Sequence, residues 1–428
     1  MKKVLIITYY WPPINSAGVY RWLKFVKYLR EFNWEPVVYT IERQGYDPNK
    51  KYSKDIPEGV TVLTQPIFDP FDYYQAIVGK GKKKTQPGFI NEKGGSSSLR
   101  KLLFRIRGNL FIPDAKKYWV GPSVRYLTKY VSENKIDVVV STGPPHSMHL
   151  IGLGIKKAIG TKWIADFRDP WTNIDFYERL GLSKRADKKH KALEGNVIAA
   201  ADGVVTVSWD WAQEMEKDHG KRIHVITNGY DEEDFVGFQI EKEKKFTILQ
   251  AGSMNEDRDP KGLWEALSKL LDKPTIARDN VAVKLIGPVD HGIVQNYCQA
   301  GLNDIILKSD IMEHDLAIKK MMEAHVMLLP INDSKNMAGI IPGKLYEYLR
   351  TGNPILCIGS TTGDSAKIIL EANAGVVHEH GDVEGILNSL TLFHNQYLAG
   401  ELGTSCSNIS KYQRRLLTKE LAELLDGL

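Results

Sequence analysis

An α/β fold of two doubly wound, Rossmann-like domains facing a central cleft is what this sequence predicts, and three observations predict it. Short apolar runs alternate with amphipathic segments along nearly the whole chain. The runs are apolar on consecutive residues rather than on every second one, the pattern of parallel strands covered on both faces. The 428 residues, 43% hydrophobic and 25% charged, have an ordinary globular composition and the length for two or three folded units.

Val4-Leu5-Ile6-Ile7-Thr8 opens the series as a strand. A loop with Pro12, Pro13 and Gly18 follows, then an amphipathic helix from Val19 to Glu31. Further strands are expected at 36–40, 137–142, 161–166 and 203–207, with helices over Ser147 to Ile159 and Lys184 to Ala201. The charged stretch Glu241-Lys242-Glu243-Lys244-Lys245 reads as a linker. A second series then places strands at 246–250, 281–286, 305–307, 326–329 and 354–358. The expected domains are 1–240, 241–402 and a C-terminal helix in 403–428 that packs back on the first domain. In sheets of this kind ligands bind at the carboxyl ends of the strands, so the loops after each run are the ones to inspect.

Charge is uneven: residues 1–240 carry 37 Lys/Arg against 27 Asp/Glu, and residues 241–428 carry 20 against 25. Between Lys80 and Arg107 nine basic residues face the single Glu92. There a loop should lead into a basic amphipathic helix, with Leu99, Leu102, Leu103, Ile106 and Leu110 on one face. The segment 80–110 suits an anionic membrane surface, or its apolar face packs on the first domain. Cys298, Cys357 and Cys406 are too few and too scattered for a disulfide framework, and no run reaches the roughly 18 apolar residues of a membrane span, so a cytoplasmic location is expected.

Gly339 to Leu345 falls one residue short of a phosphate-binding P-loop and has no Ser or Thr after its lysine. No Gly-x-Ser-x-Gly elbow and no Gly-x-Gly-x-x-Gly after the first strand occur, which weakens hydrolase and dinucleotide readings. The pairs His146/His149 and His378/His380 have no third ligand in reach and read as structural or exposed rather than metal-binding.

Four loops remain. Pro12 to Gly18 offers backbone N–H groups to an anion at a helix start. Asp166-Phe167-Arg168-Asp169 sets an arginine and two carboxylates at a strand end, as a functional cluster or a plain salt bridge. Ala251 to Gly262 brings Arg258 and Lys261 to a helix N-terminus, as phosphate ligands or as a solvated charged loop. Pro342-Gly343-Lys344 opens a helix whose glycine permits close approach of a diphosphate, with Glu347 one turn in to accept from paired sugar hydroxyls.

With Tyr9-Tyr10-Trp11-Pro12-Pro13, Ile226-Thr227-Asn228-Gly229-Tyr230-Asp231, the Gly252 loop and Pro342 to Pro354 in this order, the chain resembles a GT-B glycosyltransferase of family 4. The resemblance implies transfer of a sugar from a nucleoside-diphosphate sugar to an acceptor hydroxyl, with retention and without a metal or other cofactor. The acceptor would be a sugar or lipid-linked sugar of a cell-surface polysaccharide or glycolipid, and nucleic acid is not an expected partner. It implies that Gly18 lines the cleft near diphosphate and acceptor. Arg258 stands where the family commonly has a phosphate-binding lysine, Ser253 where it has an arginine, and Lys261 is the alternative. Ile311 would meet the base through its backbone, Glu347 would hold the ribose, and Arg168 with Asp169 would stand near the family's catalytic histidine. Gly339 replaces the first of the family's two spaced glutamates. Two other readings stay open: a sugar-nucleotide epimerase of the same fold, or an inactive nucleotide-sugar-binding or membrane scaffold protein.

Overall fold

The computed structural model describes residues 1–14, 16–42, 53–67, 105, 108–175 and 177–428. Two compact units divide them: Met1–Asn228 with Arg414–Leu428, and Gly229–Gln413. The expected segment 80–110 lies outside the described residues except for Arg105 and residues 108–110, which are helical.

The first unit holds a seven-stranded parallel sheet in the order β3-β2-β1-β4-β5-β6-β7. Its strands are β1 (Lys2–Ile7), β2 (Trp34–Ile41), β3 (Thr61–Gln65), β4 (Val138–Gly143), β5 (Lys162–Phe167), β6 (Gly203–Thr206) and β7 (His224–Val225). The described helices are α1 (Ala17–Tyr28), α2 (Lys117–Asn134), α3 (Ser147–Ile159), α4 (Lys184–Ala200) and α5 (Trp209–His219), joined by α12 (Arg414–Asp426) from the far end of the chain. The sheet is buried on both faces, which is why its strands are apolar without alternation. Leu5 and Ile7 point into a core with α2, α3, α4 and α5. Val4 and Ile6 point into another with α1 and α12. Leu417, Leu421 and Leu425, spaced by one helical turn, form the stripe that α12 adds to that core.

The sheet order reverses between β1 and β4, and the polar network of the unit sits at that reversal. Asp166, at the end of β5, is 1% exposed, and Arg21 of α1 is 3% exposed. Arg21 Nη2 donates to Asp166 Oδ1 (2.8 Å) and its Nη1 to the Thr227 carbonyl (3.0 Å). Trp22 Nε1 (2.7 Å) and the Thr142 hydroxyl (2.8 Å) donate to Asp166 Oδ2. Burial raises the pKa of this carboxyl, but the Arg21 guanidinium and these hydrogen bonds outweigh it and hold Asp166 below the usual range.

The second unit is a six-stranded parallel sheet in the order β10-β9-β8-β11-β12-β13. Its strands are β8 (Phe246–Ala251), β9 (Val281–Ile286), β10 (Ile306–Ser309), β11 (Val326–Pro330), β12 (Ile355–Ile358) and β13 (Gly375–His378). Its helices are α6 (Lys261–Leu271), α7 (His291–Gln299), α8 (His314–Glu323), α9 (Lys344–Thr351), α10 (Asp364–Glu371) and α11 (Val383–Ala399). α6, α7 and α11 cover one face, and α8, α9 and α10 the other. The order again reverses between the first strand, β8, and the fourth, β11.

The divisions differ from the expected boundaries at 240 and 402, for a physical reason at each end. Tyr230 and Phe235 are buried in the core of the second unit, and the Tyr230 N–H donates to the Tyr412 carbonyl (3.1 Å). The charged stretch expected as a linker is anchored: Lys242 donates to Asn353 Oδ1 (2.6 Å) and Glu243 pairs with Lys284. Residues 403–413 stay with the second unit, where the Thr404 and Ser407 N–H groups donate to Gly352 and Ala372 carbonyls.

Arg21→Ala leaves the Asp166 carboxylate buried without its cation. It should lower the stability of the first unit by about 3–5 kcal/mol in urea unfolding; a loss below about 1 kcal/mol would mean that the network does not hold the loops.

Candidate functional site

In the first unit the loops after β1, β4 and β5 meet through Arg168. Its Nη1 donates to the Gly18 carbonyl (2.6 Å), its Nη2 to the Pro144 carbonyl (2.5 Å), and its guanidinium lies over the Tyr10 ring at 4.9 Å. A Cβ on Gly18 would come within 2.9 Å of Arg168 Nη1, so glycine there is what lets the helix start and the arginine approach. Ser16 caps α1 by accepting from the Gly18 N–H (3.4 Å). Of the two carboxylates in the Arg168 loop, Asp166 is occupied as above. Asp169 takes no hydrogen bond from a described residue, and burial, partly offset by Arg168, pushes its carboxyl up. Gly18, Arg168 and Asp169 thus form one cluster at the carboxyl edge of the sheet.

The histidines beside this cluster are packing groups. His146 stacks on Trp171 with centroids 4.8 Å apart, and His149 on Phe167 at 4.3 Å. His149 Nδ1 is hydrogen-bonded with the Ser141 hydroxyl (3.0 Å), and burial pushes the ring down to about 3, so it is neutral. His378 is held by Asp382 (2.8 Å) and Ser389 (2.9 Å).

In the second unit the carboxyl ends of β8 and β11 and the start of α9 converge. Gly252, with φ +96°, turns the chain out of β8, and its carbonyl lies 3.0 Å from where a Cβ on Gly287 would be, so the loops after β8 and β9 touch backbone to backbone. The following 3-10 turn, Glu256–Arg258, ends at Arg258, whose Nε donates to Asn332 Oδ1 in the loop after β11. α9 is pinned to β8 because the Ala251 N–H donates to the Tyr348 hydroxyl (2.9 Å). That pin brings the first turn of α9, with Lys344 and Glu347, to the same strand ends.

Lys344 is held well below the ordinary lysine range. Its Nζ is out of solvent contact and has no hydrogen-bond partner among the described residues. Burial and then the nearby Arg258 charge push the ammonium down to about 7, and Glu347 and Cys357 only partly oppose this. Glu347 is not spent on Lys344: its Oε1 is 2.9 Å from His314 Nε2, at the start of α8. Two cations beside each other, at the N-terminus of α9, make a site for a compact anion.

The other expected residues are less tightly bound to this cluster. Gly343 precedes α9, and a Cβ there would meet nothing within 4 Å, so the space beside the helix start is open. Ser253 is half-buried in the Gly252 loop, and Lys261 is exposed at the first position of α6. Ile311 is 50% exposed in the loop after β10. No side-chain hydrogen bond or ion pair ties Ser253, Lys261 or Ile311 to Lys344 among the described residues. Asn332 and His314 went unread in the sequence. Asn332 lies two residues past a strand end, where the strand-end rule points. His314 opens the helix after the Ile311 loop.

Both units therefore have the doubly wound sheet order of the two-domain GT-B glycosyltransferase fold, and solved structures of that kind align with the chain over its length. Anabaena Alr3699/HepE, solved with UDP and glucose, is 12% identical with a TM-score of 0.63, covering 100% of each chain. S. aureus TarM, solved with Fondaparinux, alpha-GlcNAc-glycerol and UDP, is 11% identical with a TM-score of 0.63, again over 100% of each. Sucrose-phosphate synthase of Thermosynechococcus elongatus is 12% identical with a TM-score of 0.58, covering 100% of this chain and 95% of that one. At these identities the likeness is one of fold. Residues 87–234 match the family model of Glycosyltransferase Family 4. No curated protein matches the chain.

Lys344→Met should make the unliganded protein about 1–2 kcal/mol more stable, because it removes a buried charge to which no described residue is hydrogen-bonded. The folded pKa of about 7 lies below the ordinary 10.5, so the unfolded chain binds the extra proton between those values. The penalty is complete below about pH 7 and fades as pH rises toward 10.5. The gap between variant and wild type in unfolding experiments should therefore shrink over that range; a constant gap would show that the charge is not its source.

Proposed function

We propose that this chain is a glycosyltransferase that moves a sugar, with retention, from a nucleoside-diphosphate sugar to an acceptor hydroxyl. The observation that carries the reading is the Lys344 ammonium, without a hydrogen-bond partner among the described residues, beside Arg258 at the point where the sheet order reverses. In this reading the second unit takes the donor. Arg258, Lys344 and the N-terminus of α9 receive the diphosphate, with Lys261 and Ser253 at its edge, and Gly343 gives it room. Glu347 accepts from the ribose hydroxyls and the Ile311 backbone meets the base. As the bond from sugar to diphosphate breaks, charge develops on the leaving oxygens. Fixed cations in a dry setting stabilise that charge more than they stabilise the bound donor.

The first unit is proposed to take the acceptor. Arg168 holds the Gly18 and Pro144 loops in register and so shapes the site, while the unfilled acceptor capacity of Asp169 suits a sugar hydroxyl. The acceptor is proposed to be a sugar or lipid-linked sugar of a surface polysaccharide or glycolipid, presented at an anionic membrane through segment 80–110. Exposed Leu110 and Tyr118, with Lys117 over the Phe111 and Tyr118 rings, extend that basic and apolar character. No described helix is long and apolar enough to cross a membrane.

Arg258→Ala should lower kcat/KM about 30- to 1000-fold, roughly 2–4 kcal/mol of transition-state stabilisation, in a transfer assay with the active donor. Unchanged turnover by a folded variant would remove Arg258 from the reaction. Products of the wild type distinguish the neighbouring readings: donor isomerised without transfer means an epimerase, and nucleotide bound without any turnover means a binding protein.

A further inference from the structure

Glu347 is the carboxylate placed to meet a ribose, yet a glutamate near a helix start does not fix its own carboxyl plane, because its last torsion is broad. His314 fixes it. The two side chains are 22% and 24% exposed, and His314 Nε2 stands 2.9 Å from Glu347 Oε1. Among the described residues nothing donates to Oε2, so one carboxylate oxygen is held from the protein side and the other is open. His314 comes from α8, immediately after the loop with Ile311, so the hydrogen bond links the helix of the base loop to the helix of Lys344. The ligand atoms of Asp234 and Asp315 lie within 4.8 Å of that of His314. Carboxylates thus face the imidazole from α8 and from the 232–235 turn as well as from α9.

We propose that His314 is a positioning residue for the nucleotide: it orients the Glu347 carboxylate so that Oε2 can accept from the vicinal ribose hydroxyls. This rests on the donor site described above. The hydrogen bond contributes only when those hydroxyls are present, because His314 acts through Glu347 and has no place at the diphosphate. Its role is therefore legible in the ligand rather than in the protein alone.

The test is calorimetric binding of the tightest of UDP, GDP and ADP, and of its 2′,3′-dideoxy counterpart, to wild type, His314→Ala and His314→Gln. For His314→Ala we expect the affinity for the ordinary nucleoside diphosphate to fall about tenfold, while that for the dideoxy compound stays within twofold of wild type. The amide of His314→Gln can still donate to Oε1 and should restore most of the loss. Should the alanine variant unfold, His314→Phe fills the space without donating and takes its place with the same expected result. Equal weakening of both ligands, or no weakening of either, would overturn the role of His314 and leave the donor site standing. A wild type that binds none of the three nucleotides would instead overturn the donor site, and this proposal with it.

Discussion

A lysine ammonium withdrawn from water beside an arginine, with no carboxylate of the described residues hydrogen-bonded to it, is the feature around which the second unit is organised. Folding alone gives no reason for it. Desolvating a cation is unfavourable, and a neighbouring positive charge makes it more so. A core leucine in place of Lys344 would pack at less cost. The arrangement makes sense as a free-energy debt settled by a ligand: a compact dianion would restore the balance at the place where the chain has strained it. Sites of this kind trade stability for function. The supports around Lys344 fit that purpose: Tyr348 pins α9 to β8, and Asn332 holds the Arg258 side chain, which cannot swing out to solvent without breaking that bond.

The first unit uses the same sheet order to the opposite effect. The charges of Asp166 and Arg168 are matched within the protein: the Asp166 carboxylate takes donors from α1, β4 and the α1 indole, and the Arg168 guanidinium satisfies two loop carbonyls. These bonds tie the loops at this edge together, and among the described residues no hydrogen bond reaches Asp169. The second unit leaves a cation without a hydrogen-bonded counter-charge among the described residues, which is why the donor diphosphate is proposed there; the first ties its loops together, which is why the acceptor is proposed there.

The architecture was legible because buried parallel strands write themselves as continuous apolar runs. β1, β2, β4, β5, β6, β8, β9, β10, β11 and β12 all coincide with such runs. β3, β7 and β13 do not, and each lies at a sheet edge. Thr61-Val62-Leu63-Thr64-Gln65 is half exposed, β7 has two residues, and β13 begins at Gly375, so none carries a full apolar signature. The division between units is hidden in the sequence because charge does not imply exposure: Lys242 and Glu243 look solvated in sequence but are tied to Asn353 and Lys284. In the site, Arg258, Lys344 and Glu347 could be read from their places after strands and at a helix start. The missing signal for His314 and Asn332 is pairwise. Each matters through the side chain it bonds, across 33 and 74 residues respectively, and single-residue reading has no access to that distance.

The most direct measurement is a pH titration of the Lys344 Nζ by NMR, in protein labelled at lysine and assigned with Lys344→Met, in the absence and presence of saturating nucleoside diphosphate. An ammonium waiting for an anion should titrate near 7 in the free protein and return toward 10.5 when the diphosphate is bound. A Lys344 that titrates near 10.5 in the free protein and does not move on addition of any nucleotide would contradict the account.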